Sequence, residues 1–148
     1  MNKLLVIHGP NLNMLGKREH KHYDSLTLEE VNEKILHKAK ENNFKVDIYQ
    51  SNSEGEIITK LHSAIDKYQG IIINPGAYTH YSIAIRDALK ILTIPIIEVH
   101  LSNIYSREEF RHNSVIAPVC TGQISGLGHV SYLIALDAFK NLMGGYNE

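Results

Sequence analysis

Glu98 and His100 stand two residues apart on the run Ile96-Ile97-Glu98-Val99-His100. In an extended strand residues i and i+2 share a face, so the carboxylate can orient or charge the imidazole. Arg18 and Tyr23 lie five residues apart in a polar excursion near the amino end. A guanidinium beside a phenol favours the phenolate. Tyrosine titrates near about 10, so a base role near neutrality needs a depression of about 2–3 units. That is equivalent to about 3–4 kcal/mol, which a desolvated arginine can largely supply. A phenolate base and an imidazolium acid across a small pocket are the parts of an elimination. These residues leave the substrate open, and a second reading with it: a module that binds a small anion without turning it over. Binding alone needs neither base nor acid, so Arg18, Tyr23, Glu98 and His100 together favour an enzyme.

The elements that must position these groups follow from the hydrophobic pattern. Residues 4–7, 46–49, 71–73, 96–99 and 115–117 read as five strands, three of them nearly continuous apolar runs of the kind buried on both faces of a parallel sheet. Helical patterns lie between them. Thr27 and Glu30 form a capping box followed by Val31, Ile35 and Ala39; Ser53 and Glu56 form a second, followed by Ile57, Leu61, Ile65 and Tyr68. Residues 80–92 carry Ile85, Ala88, Leu89 and Leu92 on one side, and residues 126–143 carry Tyr132, Leu133, Leu136 and Phe139. A short turn opens at Ser106. The alternation predicts an α/β fold: a flavodoxin-like three-layer sandwich around a five-stranded parallel sheet.

Ligands in such sheets bind at the carboxyl ends of the strands. There the chain collects Asn11, Asn13, Arg18 and Tyr23; Gln50, Ser51 and Asn52; Asn74, Gly76, Thr79 and His80; His100, Ser102, Asn103, Arg107 and Arg111; and Thr121 and Gly122. Amides, hydroxyls, imidazoles and guanidiniums with few carboxylates suit a polyhydroxylated anion.

Other chemistries lack their parts. Fifteen basic against sixteen acidic residues, a net charge of -1, leave no footprint for nucleic acid and no polybasic segment for a membrane surface. The 148 residues, 43% hydrophobic and 21% charged, suit one globular domain over 1–148. The first loop, Gly9-Pro10-Asn11-Leu12-Asn13, has no phosphate-binding glycine spacing, and Asn11 and Asn74 stand where a phosphate-accepting receiver would carry acids. His20 and His22 have no Cys or acid at a fixed offset to complete a metal set. The glycines of residues 122–128 are expected to let the last helix pack closely, and Cys120 to be a small core residue rather than a nucleophile. A lone cysteine fits a reducing compartment. No apolar run approaches roughly 18 residues and no signal-peptide layout opens the chain, so a cytoplasmic location is expected.

Six blocks, in order, resemble the type II 3-dehydroquinate dehydratases. They are Gly9-Pro10-Asn11-Leu12-Asn13-Met14-Leu15-Gly16 with Arg18-Glu19 and Tyr23; Gln50-Ser51-Asn52-Ser53-Glu54-Gly55; Ile73-Asn74-Pro75-Gly76-Ala77-Tyr78-Thr79-His80; Arg86-Asp87-Ala88; Ile97-Glu98-Val99-His100-Leu101-Ser102-Asn103; and Arg107-Glu108-Glu109-Phe110-Arg111. The resemblance covers essentially the whole chain. It implies anti elimination of water from 3-dehydroquinate through an enolate, giving 3-dehydroshikimate in the shikimate pathway without cofactor, metal or Schiff base.

The resemblance also implies roles. Tyr23 would remove the proton alpha to the ketone with Arg18 lowering its pKa, and His100 would protonate the departing hydroxyl with Glu98 supporting the ring. Asn11 would stabilise the enolate through a water. Asn74, Leu101 and Ser102 would hold the substrate carboxylate, His80 and Arg111 the ring hydroxyls, and Arg107 would help close a lid. Family members form dodecamers, tetramers of trimers, in which an Asp at the position of Asp87 completes a neighbouring pocket. Two residues depart from the family pattern: His20 stands where Pro is usual and Asp24 where Gly is usual. Asp24 beside Tyr23 opposes a phenolate electrostatically, so an altered pH profile is expected.

Overall fold

The computed structural model describes residues 2–17 and 25–144. Among them, the chain alternates β1 (Lys3–His8), α1 (Leu28–Glu41), β2 (Lys45–Gln50), α2 (Glu54–Ser63), β3 (Gly70–Asn74), α3 (Ile83–Ile91), β4 (Ile96–His100), β5 (Gly122–Ser125) and α4 (Val130–Gly144). The five strands pair in parallel in the order β2-β1-β3-β4-β5, which is the flavodoxin-like order. Chain order reverses direction between β1 and β3, and register brings His8 beside Asn74 and Ile73 beside Glu98 at that end of the sheet.

Alternation along each strand divides the core. Leu4, Val6, Ile72, Ile97 and Val99 face α1 and α4, where Val31, Ile35, Tyr132, Leu136 and Phe139 meet them. Leu5, Ile7, Ile71, Ile73 and Ile96 face α2 and α3, against Ile57, Leu61, Ile85 and Leu89. Each fully buried Leu or Ile contributes about 1.5–3 kcal/mol. The same alternation turns His8 and Asn74 toward the α1/α4 layer and Glu98 and His100 toward the other.

Local signals set the helix starts. Thr27 accepts from the Glu30 backbone N–H while the Glu30 carboxylate accepts from the Thr27 N–H, a complete capping box. The second box is half made: Ser53 caps the Glu56 N–H, but the Glu56 carboxylate accepts from Ser51 Oγ instead. That helix ends at Ser63, so Ile65 lies half exposed beyond it, and Tyr68, also beyond it, is buried with its hydroxyl donating to Asp47 at 2.5 Å.

The expected fifth strand at 115–117 is corrected. The Val115 N–H donates to the Thr79 carbonyl and Val115 O accepts from Arg86, which ties the segment to the β3–α3 connection. Ser114 Oγ then accepts from the N–H groups of Ile116 and Ala117, and a single 3-10 turn spans Ala117–Val119 around Pro118, which has no N–H for a ladder. The strand that extends the sheet comes later, so Thr121 and Gly122 stand at its amino end, where Thr121 Oγ1 accepts from the Ile96 N–H. The last helix opens at Val130 rather than 126. The preceding glycines serve the loop: Gly126 has φ +94° and lies so close to Asn103 that a Cβ would sit 3.0 Å from its side chain.

Candidate active site

A cavity of about 150 Å³ opens at the carboxyl ends of β1, β3 and β4. Asn11, Asn74, His80, His100, Leu101, Ser102 and Arg111 line it, together with Arg107, Ile104 and the backbone around Gly76. Eight of the residues given roles from the sequence, Arg107 among them, are therefore brought together. Glu98 stands directly behind His100. Asp87 is exposed on α3 and is not among the lining residues. Arg18 and Tyr23, with the departures His20 and Asp24, lie outside the described residues.

The loop after β1 is drawn tightly against the loop after β3. The Gly9 N–H donates to the Asn74 carbonyl at 2.7 Å, and a Cβ on Gly9 would meet that same oxygen at 2.7 Å, so only glycine fits. Two residues on, Asn11 takes a left-handed conformation at φ 71°, which asparagine tolerates better than most side chains. Its N–H donates to Asn52 Oδ1 at 2.9 Å, which explains the polar cluster after β2: it braces the first loop and does not line the cavity.

The Glu98–His100 pair is as expected from their spacing, with His100 Nε2 bonded to Glu98 Oε2 and both side chains buried. Thr79 Oγ1 donates to the same carboxylate at 2.5 Å, and Ser114 Oγ lies 3.1 Å from both of its oxygens. Burial alone would push Glu98 upward. The bond and charge of His100, with the two hydroxyls, outweigh it and hold the carboxyl below its ordinary value. His100 thus commits one ring nitrogen to an anion and keeps Nδ1 for the cavity. Thr79 was visible as a polar residue after β3; Ser114 was hidden because it adjoins the segment mistaken for a strand.

His80 is held differently. Burial lowers its pKa, with the nearby charges of His100 and Arg111 adding to that and a bond to the Asn113 carbonyl opposing it. Its Nδ1–H donates to Asn113 O at 2.9 Å, so the neutral ring leaves Nε2 as an acceptor. Arg107 Nη1 donates to Ser102 Oγ at 3.3 Å, and Arg111 Nε to Glu108 at 3.0 Å. Cys120 is no nucleophile: burial, then the charge of Glu98, pushes its thiol up to about 12.

On the opposite face of the sheet, His8 and Tyr132 are buried polar groups whose roles sequence reasoning missed. Tyr132 was read only as an apolar helix position, and His8 closes the apolar run of β1 without any partner nearby in sequence. The detectable signal was a histidine at the carboxyl end of a fully buried strand.

The sequence profile of the family Dehydroquinase class II matches residues 2–140. The 3-dehydroquinate dehydratase of Caldicellulosiruptor bescii is 61% identical over 97% of this chain and 99% of its own length. The crystal structure of the type II dehydroquinase from Butyrivibrio crossotus superposes with a TM-score of 0.91 at 52% identity, covering 93% of this chain and 96% of that one. The type II dehydroquinase from Propionibacterium acnes gives 0.92 at 41% identity over 95% and 97%. The chain belongs to the class II dehydroquinase family. It is an enzyme, a hydro-lyase. Among its described residues no helix is long and apolar enough to cross a membrane.

Proposed function

We propose that the enzyme removes water from 3-dehydroquinate to give 3-dehydroshikimate, by an anti elimination with Tyr23 as base and His100 as acid. The observation that carries the reading is the cavity wall itself. His100 is fixed there by an anionic, three-partner Glu98, among amides, hydroxyls and guanidiniums suited to a hydroxylated carboxylate. Family membership supports the substrate.

In this mechanism the Tyr23 phenolate, favoured by Arg18, takes the proton alpha to the ketone. The electron pair left behind forms an enolate, which Asn11 stabilises through a water. The C–O bond then breaks, the enolate electrons become the ring double bond, and His100 gives its proton to the departing hydroxyl, which leaves as water. Asn74 with Leu101 and Ser102 holds the carboxylate. His80, neutral with Nε2 as an acceptor, takes a ring hydroxyl, and Arg111 a second. Arg107 helps close the lid. No cofactor or metal enters this scheme.

The 148 residues work as one catalytic domain in the cytoplasm, assembled as a homododecamer, a tetramer of trimers. Asp87 of each subunit completes a neighbouring pocket; its exposure on α3, away from its own pocket, supports this. The enzyme takes part in aromatic amino-acid biosynthesis through the shikimate pathway and chorismate.

The test is to add 3-dehydroquinate to the purified protein and follow the ultraviolet absorbance of the conjugated enone carboxylate, repeated with borohydride and with a chelator. A rise that both reagents leave intact is the expected result. No rise from correctly assembled protein overturns the assignment, and a rise abolished by either reagent overturns the mechanism.

A further inference from the structure

Asn74 is one of the most constrained polar groups in the cavity. Its side chain is almost fully buried, yet the residue lines the pocket. Its Oδ1 accepts from the Gly76 N–H at 3.1 Å, and one Nδ2–H donates to the Tyr132 hydroxyl at 3.0 Å. That leaves one Nδ2–H for the cavity. An amide whose oxygen and nitrogen exchanged places would offer a bound carboxylate a lone pair instead of a donor.

The Gly76 N–H, which can only donate, fixes the oxygen side of the amide; its nitrogen side is held from further back. The Tyr132 hydroxyl has one proton. It lies 2.8 Å from His8 Nδ1, and His8 Nε2 lies 2.8 Å from Asn32 Oδ1 on α1. Asn32 Oδ1 can only accept, so His8 carries its proton on Nε2. His8 is fully buried between these neutral partners, and burial lowers its pKa to about 4, with the Asn32 bond opposing, so the ring is neutral near pH 7. Neutral His8 with Nε2–H presents a bare Nδ1, and the Tyr132 proton must point at it. The tyrosine oxygen then faces Asn74 as an acceptor, the partner that the Asn74 NH₂ needs. Each link in the relay leaves one arrangement in which every donor meets an acceptor.

We propose that Asn32, His8 and Tyr132 are positioning residues for the reaction: the tautomer of His8, fixed by Asn32, makes Tyr132 an acceptor for one Nδ2–H of Asn74 and so, together with the Gly76 N–H, holds the amide with its other N–H toward the substrate carboxylate. The inference rests on the substrate reading given above. Its elements come from three parts of the chain (β1, α1 and α4), which converge on one pocket amide from the face of the sheet opposite Glu98 and His100. None of the three lines the cavity.

Two measurements test it. The first needs no turnover: nitrogen-15 spectra of histidine-labelled protein report the tautomer of each ring. At pH 7 the His8 resonances are expected to show Nε2 protonated and Nδ1 bare, and Asn32→Leu, which deletes the acceptor, is expected to weaken that preference. An Nδ1–H tautomer or a charged His8 in the wild-type enzyme overturns the proposal. The second is a double-mutant cycle on KM. Tyr132→Phe is expected to raise KM for 3-dehydroquinate by about fivefold or more, with a smaller change in kcat, since a lost hydrogen bond of ordinary strength is worth that factor. In an Asn74→Ala background the same substitution is expected to change KM little, because its effect passes through Asn74. A purely structural Tyr132 predicts a lowered melting temperature with KM unchanged or with equal effects in both backgrounds, and either result overturns the proposal. If Tyr132→Phe does not fold, Asn32→Leu, at the half-buried end of the relay, takes its place in the cycle. A wild-type enzyme that leaves 3-dehydroquinate untouched sinks the substrate reading, and the spectra then still decide the tautomer.

Discussion

Two histidines end strands of the same sheet, on either side of β3, and both are buried, yet their surroundings make them opposites. His100, at the end of β4, has a carboxylate behind it, and that carboxylate is kept ionised by two hydroxyls and by the imidazole itself. His8, at the end of β1, has only a phenol and an amide, and burial makes it neutral. One face of the sheet therefore holds a carboxylate–imidazole pair able to take part in proton transfer. The other holds an uncharged relay whose value is directional. Burial by itself says nothing about which outcome a histidine meets; the sign and number of its buried partners decide.

That contrast can be broken in several ways. The largest expected effect is on turnover: His100→Ala removes the proposed acid and should lower kcat by about 10²–10⁴. Retained turnover in a steady-state assay would take His100 out of the mechanism. The contrast also predicts two acid windows. Below its ordinary pKa of 6.5 the unfolded chain protonates His8 while the folded protein resists until about pH 4. The contribution of neutral His8 is thus complete above about pH 6.5 and declines as pH falls toward about 4, by at most about 3 kcal/mol. Urea unfolding across that range should show the slope, and His8→Gln should flatten it; an equal slope in the variant places the titration elsewhere. Glu98 acts in a lower window. Its pKa is depressed, so its contribution is present above the ordinary 4.5 and is lost as pH falls through the lowered value.

Glu98→Gln sharpens the comparison further by giving His100 a neutral partner, as His8 has. The lost charge-assisted bond is worth about 1.5–3 kcal/mol, so kcat should fall roughly tenfold to a hundredfold with KM changed less. A KM effect that exceeds the kcat effect would make Glu98 a binding group. The smallest expected effect is Thr27→Ala, which removes the α1 cap and should lower stability by about 1 kcal/mol in thermal melts. Thr27 touches neither side-chain network, so kcat and KM should stay as they are. A raised KM would show that small shifts of α1 reach the pocket through Asn32.

Much of this architecture was legible in the chain. The strand runs at 4–7 and 71–73, and that at 96–99 apart from Glu98, are β-branched and leucine-rich in the way of a doubly covered parallel sheet, and the β structure extends each by a residue or two. Glu98 and His100 could be paired because a two-residue spacing on a strand is a local property. The run at 115–117 failed because three apolar residues carry no information about hydrogen bonding; the pull of Thr79 and Arg86 and the missing N–H of Pro118 outweighed its propensity. Ile65 failed for a related reason, since the helical period was extended past the point at which the helix stops.

By itself, then, the order of residues determined four of the five strands, the six blocks that mark the family, and the polar character of one end of the strands, because periodicity, capping and near-neighbour pairing act over a few residues. Only the tertiary structure decided that β5 lies at 122–125, that Ser114 meets Glu98 across 16 positions, and that His8 meets Tyr132 across 124. Buried polar groups must find partners wherever folding brings them, and those partners share no period or spacing with the residues they complete.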